Sequence, residues 1–170
     1  MISVTIRKAR LDDAKGIAEV SKQGLKQKTW IYTGSNKYTS KRYKQLLDRL
    51  SPKNSTFKMF IAIDKKTKKV VGQLSYSFRK TGRQKHIVGF GWGVYPGFEG
   101  QGIGTKLLKY ALEQAKKKGF KRAEAEVVVK NIGSIRMAEK CGFKLEGTKR
   151  KALLTDDGKY LDVYVFGKLL

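Results

Sequence analysis

The stretch best suited to chemistry is Gly100-Gln101-Gly102-Ile103-Gly104. It follows a β-rich run ending in Val94-Tyr95-Pro96. It leads into Ile103, Leu107, Leu108, Ala111, Leu112 and Ala115, whose spacing puts them on one face of a helix closed by Lys116-Lys117-Lys118-Gly119. A strand, a glycine turn and a helix start together offer unpaired N–H groups and the positive end of a helix dipole. Glycines let a ligand approach that backbone closely, so the expected chemistry is the cradling of a pyrophosphate on a phosphorylated carrier. The plain alternative is a tight turn that needs glycine for steric reasons alone. Two other phosphate loops fail on spacing: no Gly-Lys-Ser/Thr closes the turn, and no acidic ribose partner follows at the distance a dinucleotide fold requires.

Other reactive side chains are few. Glu124 and Glu126 alternate within Ala123 to Val129, so both lie on one face of a strand, which is also how a solvated strand edge reads. Ser134 falls in the first turn of a short helix, where a hydroxyl commonly caps the local backbone. The single cysteine, Cys141, excludes an internal disulfide framework, and near a helix end it reads as a small buried residue. With one histidine, His86 at a strand start, a His/Cys zinc site has no ligand set, and no metal is expected.

The elements that must position these groups alternate between strand and helix patterns. Val4 and Ile6 alternate with polar residues as a first strand, and Leu11-Asp12-Asp13 opens a helix carrying Ile17, Val20 and Leu25 on one face. Residues 26–40 read as an irregular loop with Trp30, Tyr32 and Tyr38, which either cap the core or line an acceptor cleft; Lys41 to Leu50 has a helical pattern. Phe57 to Asp64 and Val70 to Phe78 flank a polar turn as a hairpin. His86 to Val94 is a strand in which Gly89, Gly91 and Gly93 predict a bulge or a close approach of another chain or ligand. After the glycine-turn helix come a strand from Phe120 to Val129, a short helix from Ile132 to Cys141, and a hairpin of Phe143 to Leu153 with Tyr160 to Leu169. With no repeat, linker or sharp change of composition, residues 1–170 are expected to form one domain.

Composition bounds the function. The chain carries 38 Lys and Arg against 14 Asp and Glu, a formal charge of +24. That field favours anionic partners, repels polycations and is concentrated in residues 1–86. It serves either solubility or a surface facing nucleic acid or the ribosome, and no zinc-finger spacing or RNA-binding aromatic signature accompanies it. The apolar runs fall short of a membrane span and the N-terminus lacks a signal-peptide core, so a cytoplasmic location is expected.

Val94-Tyr95-Pro96 through Gly104-Thr105-Lys106-Leu107-Leu108, followed by Asn131-x-x-Ser134-Ile135-x-x-Ala138-Glu139-Lys140-x-Gly142-Phe143, resembles the GNAT superfamily of acetyl-CoA-dependent N-acetyltransferases. The tail Phe143-x-Leu145-Glu146-Gly147-x-x-Arg150 with Gly158-x-Tyr160-x-Asp162 is similar to the branch containing the ribosomal-protein N-terminal acetyltransferases, though relatives acting on polyamines, antibiotics and other amines have similar tails. The resemblance implies an α+β fold, a mixed and mostly antiparallel twisted sheet of about seven strands with about four helices. It implies acetyl-CoA as cosubstrate and an amine acceptor attacking it directly in a ternary complex.

On this reading, backbone groups of Trp92, Gly93 and Val94, beside the expected strand bulge, hold the acetyl carbonyl and pantetheine amides. N–H groups of Gly100, Gln101, Gly102, Ile103, Gly104 and Thr105 take the pyrophosphate, and Asn131 bonds the pantetheine arm. Glu126 matches a glutamate base, and Ser134 can bond near the thiol. The pattern departs at two places. Glu99 stands where Gln or Arg usually opens the turn, so it either points away from the phosphates or is compensated by Lys106; Ala138 stands where a tyrosine acid is frequent. The charge favours a protein N-terminus or lysine in an RNA-bound or acidic assembly over a polyamine, with a non-catalytic acyl-CoA- or nucleic-acid-binding module as the alternative. A monomer or homodimer fits.

Overall fold

The structure, a computed structural model, describes residues 2–26, 40–51, 56–155 and 157–170, with backbone alone at 25, 26 and 40–44. Strand β1 (Val4–Lys8) leads through a single 3-10 turn (Leu11–Asp13) into α1 (Ala14–Lys26). The join is fixed by Arg7, whose guanidinium donates to both Asp13 carboxylate oxygens at 2.7 and 2.8 Å, while the Arg10 N–H also donates to Asp13. Helix α2 (Ser40–Leu50) precedes β2 (Phe57–Asp64), β3 (Val70–Phe78) and β4 (Ile87–Val94). Then come α3 (Ile103–Lys117), β5 (Arg122–Val128), α4 (Ile132–Lys140), β6 (Lys144–Leu154) and β7 (Tyr160–Leu169). Trp30, Tyr32 and Tyr38, expected on the loop between the first two helices, lie outside the described residues.

All seven strands join one sheet in the order β1-β2-β3-β4-β5-β7-β6, antiparallel except where β4 meets β5. Alternation along the strands sorts the side chains between two faces. One face presents Phe60, Leu74, Tyr76, Val88, Phe90, Ala123, Ala125 and Phe166 to the buried stripe of α3, in which Leu107, Leu108 and Ala111 are wholly inaccessible. Each such leucine contributes about 1.5–3 kcal/mol through burial. Ring contacts, among them Tyr76 with Phe90 at 5.6 Å and Phe78 with Phe120 at 4.8 Å, tighten this layer. On the other face Ile17 of α1 packs with Met59 and Ile61.

The bulge expected in the glycine-bearing strand is absent. Strand β4 runs in unbroken register against β3 from Phe78↔Val88 to Gly72↔Val94. Gly89, Gly91 and Gly93 all fall on the α1 face, opposite Ser77, Ser75 and Gln73, so they are a side-chain-free row within a regular ladder. Register shifts occur elsewhere, between Ala62 and Ile63 and twice along β6.

Candidate active site

The site begins where the sheet separates. Strands β4 and β5 pair in parallel from Ile87↔Arg122 to Phe90↔Ala125, and there the pairing ends. Both strands continue, β4 held by β3 as far as Val94 and β5 held by β7 as far as Val128. A wedge therefore opens between Gly91–Val94 and Glu126–Val128, edged by main chain with no strand partner across it. Trp92, Gly93 and Val94 line one edge, and Glu126 is the first residue past the last pair on the other.

The glycine turn stands at the mouth of the wedge. Phe98 N–H closes a turn onto Tyr95 C=O at 3.0 Å, with Pro96 fixing the second position and Gly97 at φ +85° supplying the third, the residue types a type II turn requires. Gly102 caps α3 at φ +76°, ψ 4°. Lys106 is the first residue whose N–H reaches back to the turn, to Gly102 C=O at 3.0 Å; the N–H groups of Ile103, Gly104 and Thr105 remain at the positive end of the helix. Among the described residues, a Cβ added at Gly97, Gly100 or Gly102 meets nothing within 4 Å, and the cradle they leave fits a pyrophosphate.

Gly104 has a different job. A Cβ there falls 2.6 Å from Met137 Sδ of α4 and 3.5 Å from Val94 Cγ2, so this glycine admits α4 against α3. Gln101 bonds the turn itself, its Nε2 donating to Gly97 C=O at 3.4 Å. Glu99 turns back as well: its carboxylate accepts the Gly97 N–H at 2.6 Å, bracing the turn with a charge-assisted bond. Of the two expectations for this residue, the geometry follows the one in which the carboxylate is occupied away from the helix start. Lys106 is exposed on the first helical turn.

Asn131 and Ser134 organise the far wall. Asn131 is the N-cap of α4, its Oδ1 accepting the Ser134 N–H at 3.1 Å. The Ser134 hydroxyl accepts from Trp92 Nε1 at 3.1 Å, tying α4 to β4 beside the wedge. Ala138 is fully buried, so this position offers no proton donor. Cys141 is buried too, and burial pushes its thiol up despite Lys109, Lys168 and Lys140 nearby. His86 is exposed and serves β5 through its carbonyl, which accepts from Lys121 N–H at 3.0 Å.

Glu126 and Glu124 share the sheet face opposite α3, where Glu126 stands across from Val165 and Glu124 across from Gly167. Their partners separate them. Glu124 accepts from Arg122 Nε at 2.8 Å, and Arg122 also binds Glu146, which together raise the guanidinium's pKa. Glu126 instead accepts from the Lys149 ammonium at 2.5 Å, with the carboxylate 34% and the lysine 54% exposed. Lys149 is the site residue that sequence reasoning missed. It comes from β6, beyond the intervening β7, and only the cross-strand register brings it to Glu126.

Known proteins resemble this chain in sequence and in fold. A family model described as Acetyltransferase (GNAT) family matches residues 24–143. The L-amino acid N-acetyltransferase AaaT of Escherichia coli (strain K12) is 30% identical over 101 residues, 59% of this chain and 62% of that protein, so the chain matches less than two thirds of that curated relative's length. Among solved structures, a ribosomal-protein-alanine N-acetyltransferase from Brucella melitensis aligns with TM-score 0.85 and 24% identity over 98% of this chain and 99% of that one. A phosphinothricin acetyltransferase from Sinorhizobium meliloti in complex with AcCoA aligns with TM-score 0.85 and 22% identity over 99% of this chain and 89% of that one. These structural likenesses carry the fold.

Proposed function

Since the chain belongs to the acetyltransferase (GNAT) family, we propose that residues 1–170 are a single-domain, cytoplasmic N-acetyltransferase that moves an acetyl group from acetyl-CoA to a primary amine. The observation that carries this reading is one juxtaposition. The β4–β5 wedge, with Glu126 at its apex, opens at the same strand ends as the glycine turn and the start of α3. No helix among the described residues is long and apolar enough to cross a membrane.

The N–H groups of Gly100 to Thr105 take the pyrophosphate, and the main chain of Trp92, Gly93 and Val94 meets the pantetheine amides and the acetyl carbonyl. Asn131, which caps α4, bonds the pantetheine arm, and Ser134, whose hydroxyl accepts from Trp92 Nε1, stands near the thiol. Acetyl-CoA supplies the activated acyl thioester. Glu126 accepts the proton that an acceptor ammonium must lose before its nitrogen can attack. Main-chain donors on the β4 edge stabilise the charge that develops on the carbonyl oxygen, and with Ala138 in place of a hydroxyl donor, water protonates the departing thiolate. Positioning of the amine beside the thioester supplies much of the acceleration.

For the acceptor we favour the amine of a protein, N-terminal or lysine, in an RNA-bound or acidic assembly, because a +24 surface draws anionic assemblies and repels polycations. A free amino acid is the second reading, favoured by the named activity of the Escherichia coli relative. Initial rates with ribosomal-protein N-terminal peptides, free L-amino acids and spermidine test this. The highest kcat/KM is expected for the peptides; a large preference for spermidine would overturn the charge argument, and no turnover of any amine would leave a binding module.

A further inference from the structure

Lys149 holds its ammonium where an acceptor's ammonium has to come. Its Nζ lies 2.5 Å from Glu126 Oε1, at the first residue past the last β4–β5 pair. The lysine is placed firmly. It stands opposite Val163 in the β6–β7 ladder, at the last regular pair before β6 bulges as far as Leu153. That bulge is anchored by Lys151, which adopts φ +50° and donates its N–H to Asp162 Oδ1 at 2.7 Å. The Lys149 side chain is 54% exposed, so its contact with Glu126 can open and close without unfolding β6.

We propose that Lys149 is an acetylation site of the enzyme itself: in the absence of an acceptor, its own site transfers acetyl to Lys149 Nζ. This rests on Glu126 being the base of the proposed reaction. Glu126 removes one proton from the ammonium, and the freed lone pair forms an N–C bond to the thioester carbon. The C–S bond breaks, the second proton lost from nitrogen passes to solvent, and the CoA thiolate is protonated by water. The products are acetyl-lysine and CoA. The acetylated side chain carries no charge, so the ion pair between Lys149 and Glu126 is lost.

Two labelling experiments on the intact protein test this, both read by peptide mass spectrometry with Lys144 and Lys151 of the same strand as internal references. With trace acetic anhydride and no acetyl-CoA, Lys149 is expected to react more slowly than the references, because its Nζ is engaged by the Glu126 carboxylate at 2.5 Å. With acetyl-CoA the order reverses, Lys149 gaining acetyl at least about tenfold faster because its amine already sits at the base. The rate per molecule is independent of protein concentration, as an intramolecular reaction requires. Glu126→Gln abolishes both effects, while calorimetry shows acetyl-CoA binding retained. If the anhydride order persists with acetyl-CoA in a protein that binds acetyl-CoA and turns over amine acceptors, self-acetylation is overturned and the proposed function stands. If acetyl-CoA neither binds nor acetylates any amine, the proposed function falls and takes self-acetylation with it.

Discussion

Alanine at Gly102 and alanine at Gly104 should separate ligand binding from packing within five residues of one glycine turn. At Gly102, with φ +76°, an L side chain is strained by about 1–2 kcal/mol, partly offset by the lower entropy of the unfolded chain, for a net loss near 1 kcal/mol. For a chain of this length that lowers Tm by about 2–4 °C. The new methyl meets no atom of the described residues within 4 Å and stands in the space assigned to the pyrophosphate. Losing one charge-assisted N–H bond there costs about 1.5–3 kcal/mol, which weakens acetyl-CoA binding by about 10- to 150-fold. At Gly104 the methyl falls 2.6 Å from Met137 Sδ, a flexible side chain that must move. Overpacking of about 1–3 kcal/mol is then set against about 1 kcal/mol gained in helix propensity, while the N–H stays where it was. Gly104→Ala should therefore lower Tm by between zero and about 8 °C and change Kd by less than about threefold. Calorimetric titration beside thermal unfolding reads both quantities. If Gly102→Ala leaves Kd unchanged, or if Gly104→Ala weakens binding more than Gly102→Ala does, the assignment of the phosphate to the helix start is wrong.

Three further outcomes follow from the same geometry. Glu126→Gln should lower kcat by about 10²- to 10⁴-fold with acetyl-CoA affinity unchanged, and unchanged kcat would remove Glu126 as the base. Cys141→Ala should keep kcat within about twofold, and the native thiol should resist iodoacetamide that modifies the unfolded chain, since burial disfavours the thiolate; a dead but folded Cys141→Ala enzyme would instead indicate an acyl-cysteine route. Asp64 is held below the ordinary carboxylate range chiefly by the Thr67 hydroxyl at 2.6 Å, against the opposing effect of burial and with help from the N–H groups of Lys66 and Thr67. A depressed carboxylate contributes stability that is complete above its unfolded pKa and lost as pH falls through the folded one. Asp64→Asn should thus be less stable at neutral pH and show a flatter stability profile below about pH 4, and identical profiles would contradict the role given to this turn.

The hairpin of β2 and β3 was legible because local alternation and a polar turn specify it, and its expected limits coincide with the observed ones. The strand to Val94, the turn and the helix from Ile103 were legible for the same local reasons. What sequence could not show is set between distant segments. Glycines in β4 suggested a bulge, yet alternation puts all three on one face of a regular ladder, and the opening beside them comes from β4 parting from β5. Gly102 and Gly104 look alike in a glycine repeat, but only the packing of Met137 separates their jobs. Glu126 could be read as a base or as a solvated edge, and its place at the wedge depends on a parallel pairing that spans α3. The Lys149 contact needs two further strands in register, so no spacing rule along the chain points to it.

A coenzyme site formed by this wedge and helix start is tested most directly by a calorimetric titration of acetyl-CoA into the purified protein, with CoA as control and the salt concentration varied. Saturable one-to-one binding that survives moderate salt and is weakened in Gly102→Ala is the expected result. No saturable binding, or association that collapses with salt as contacts to a nucleic-acid backbone do, would contradict it.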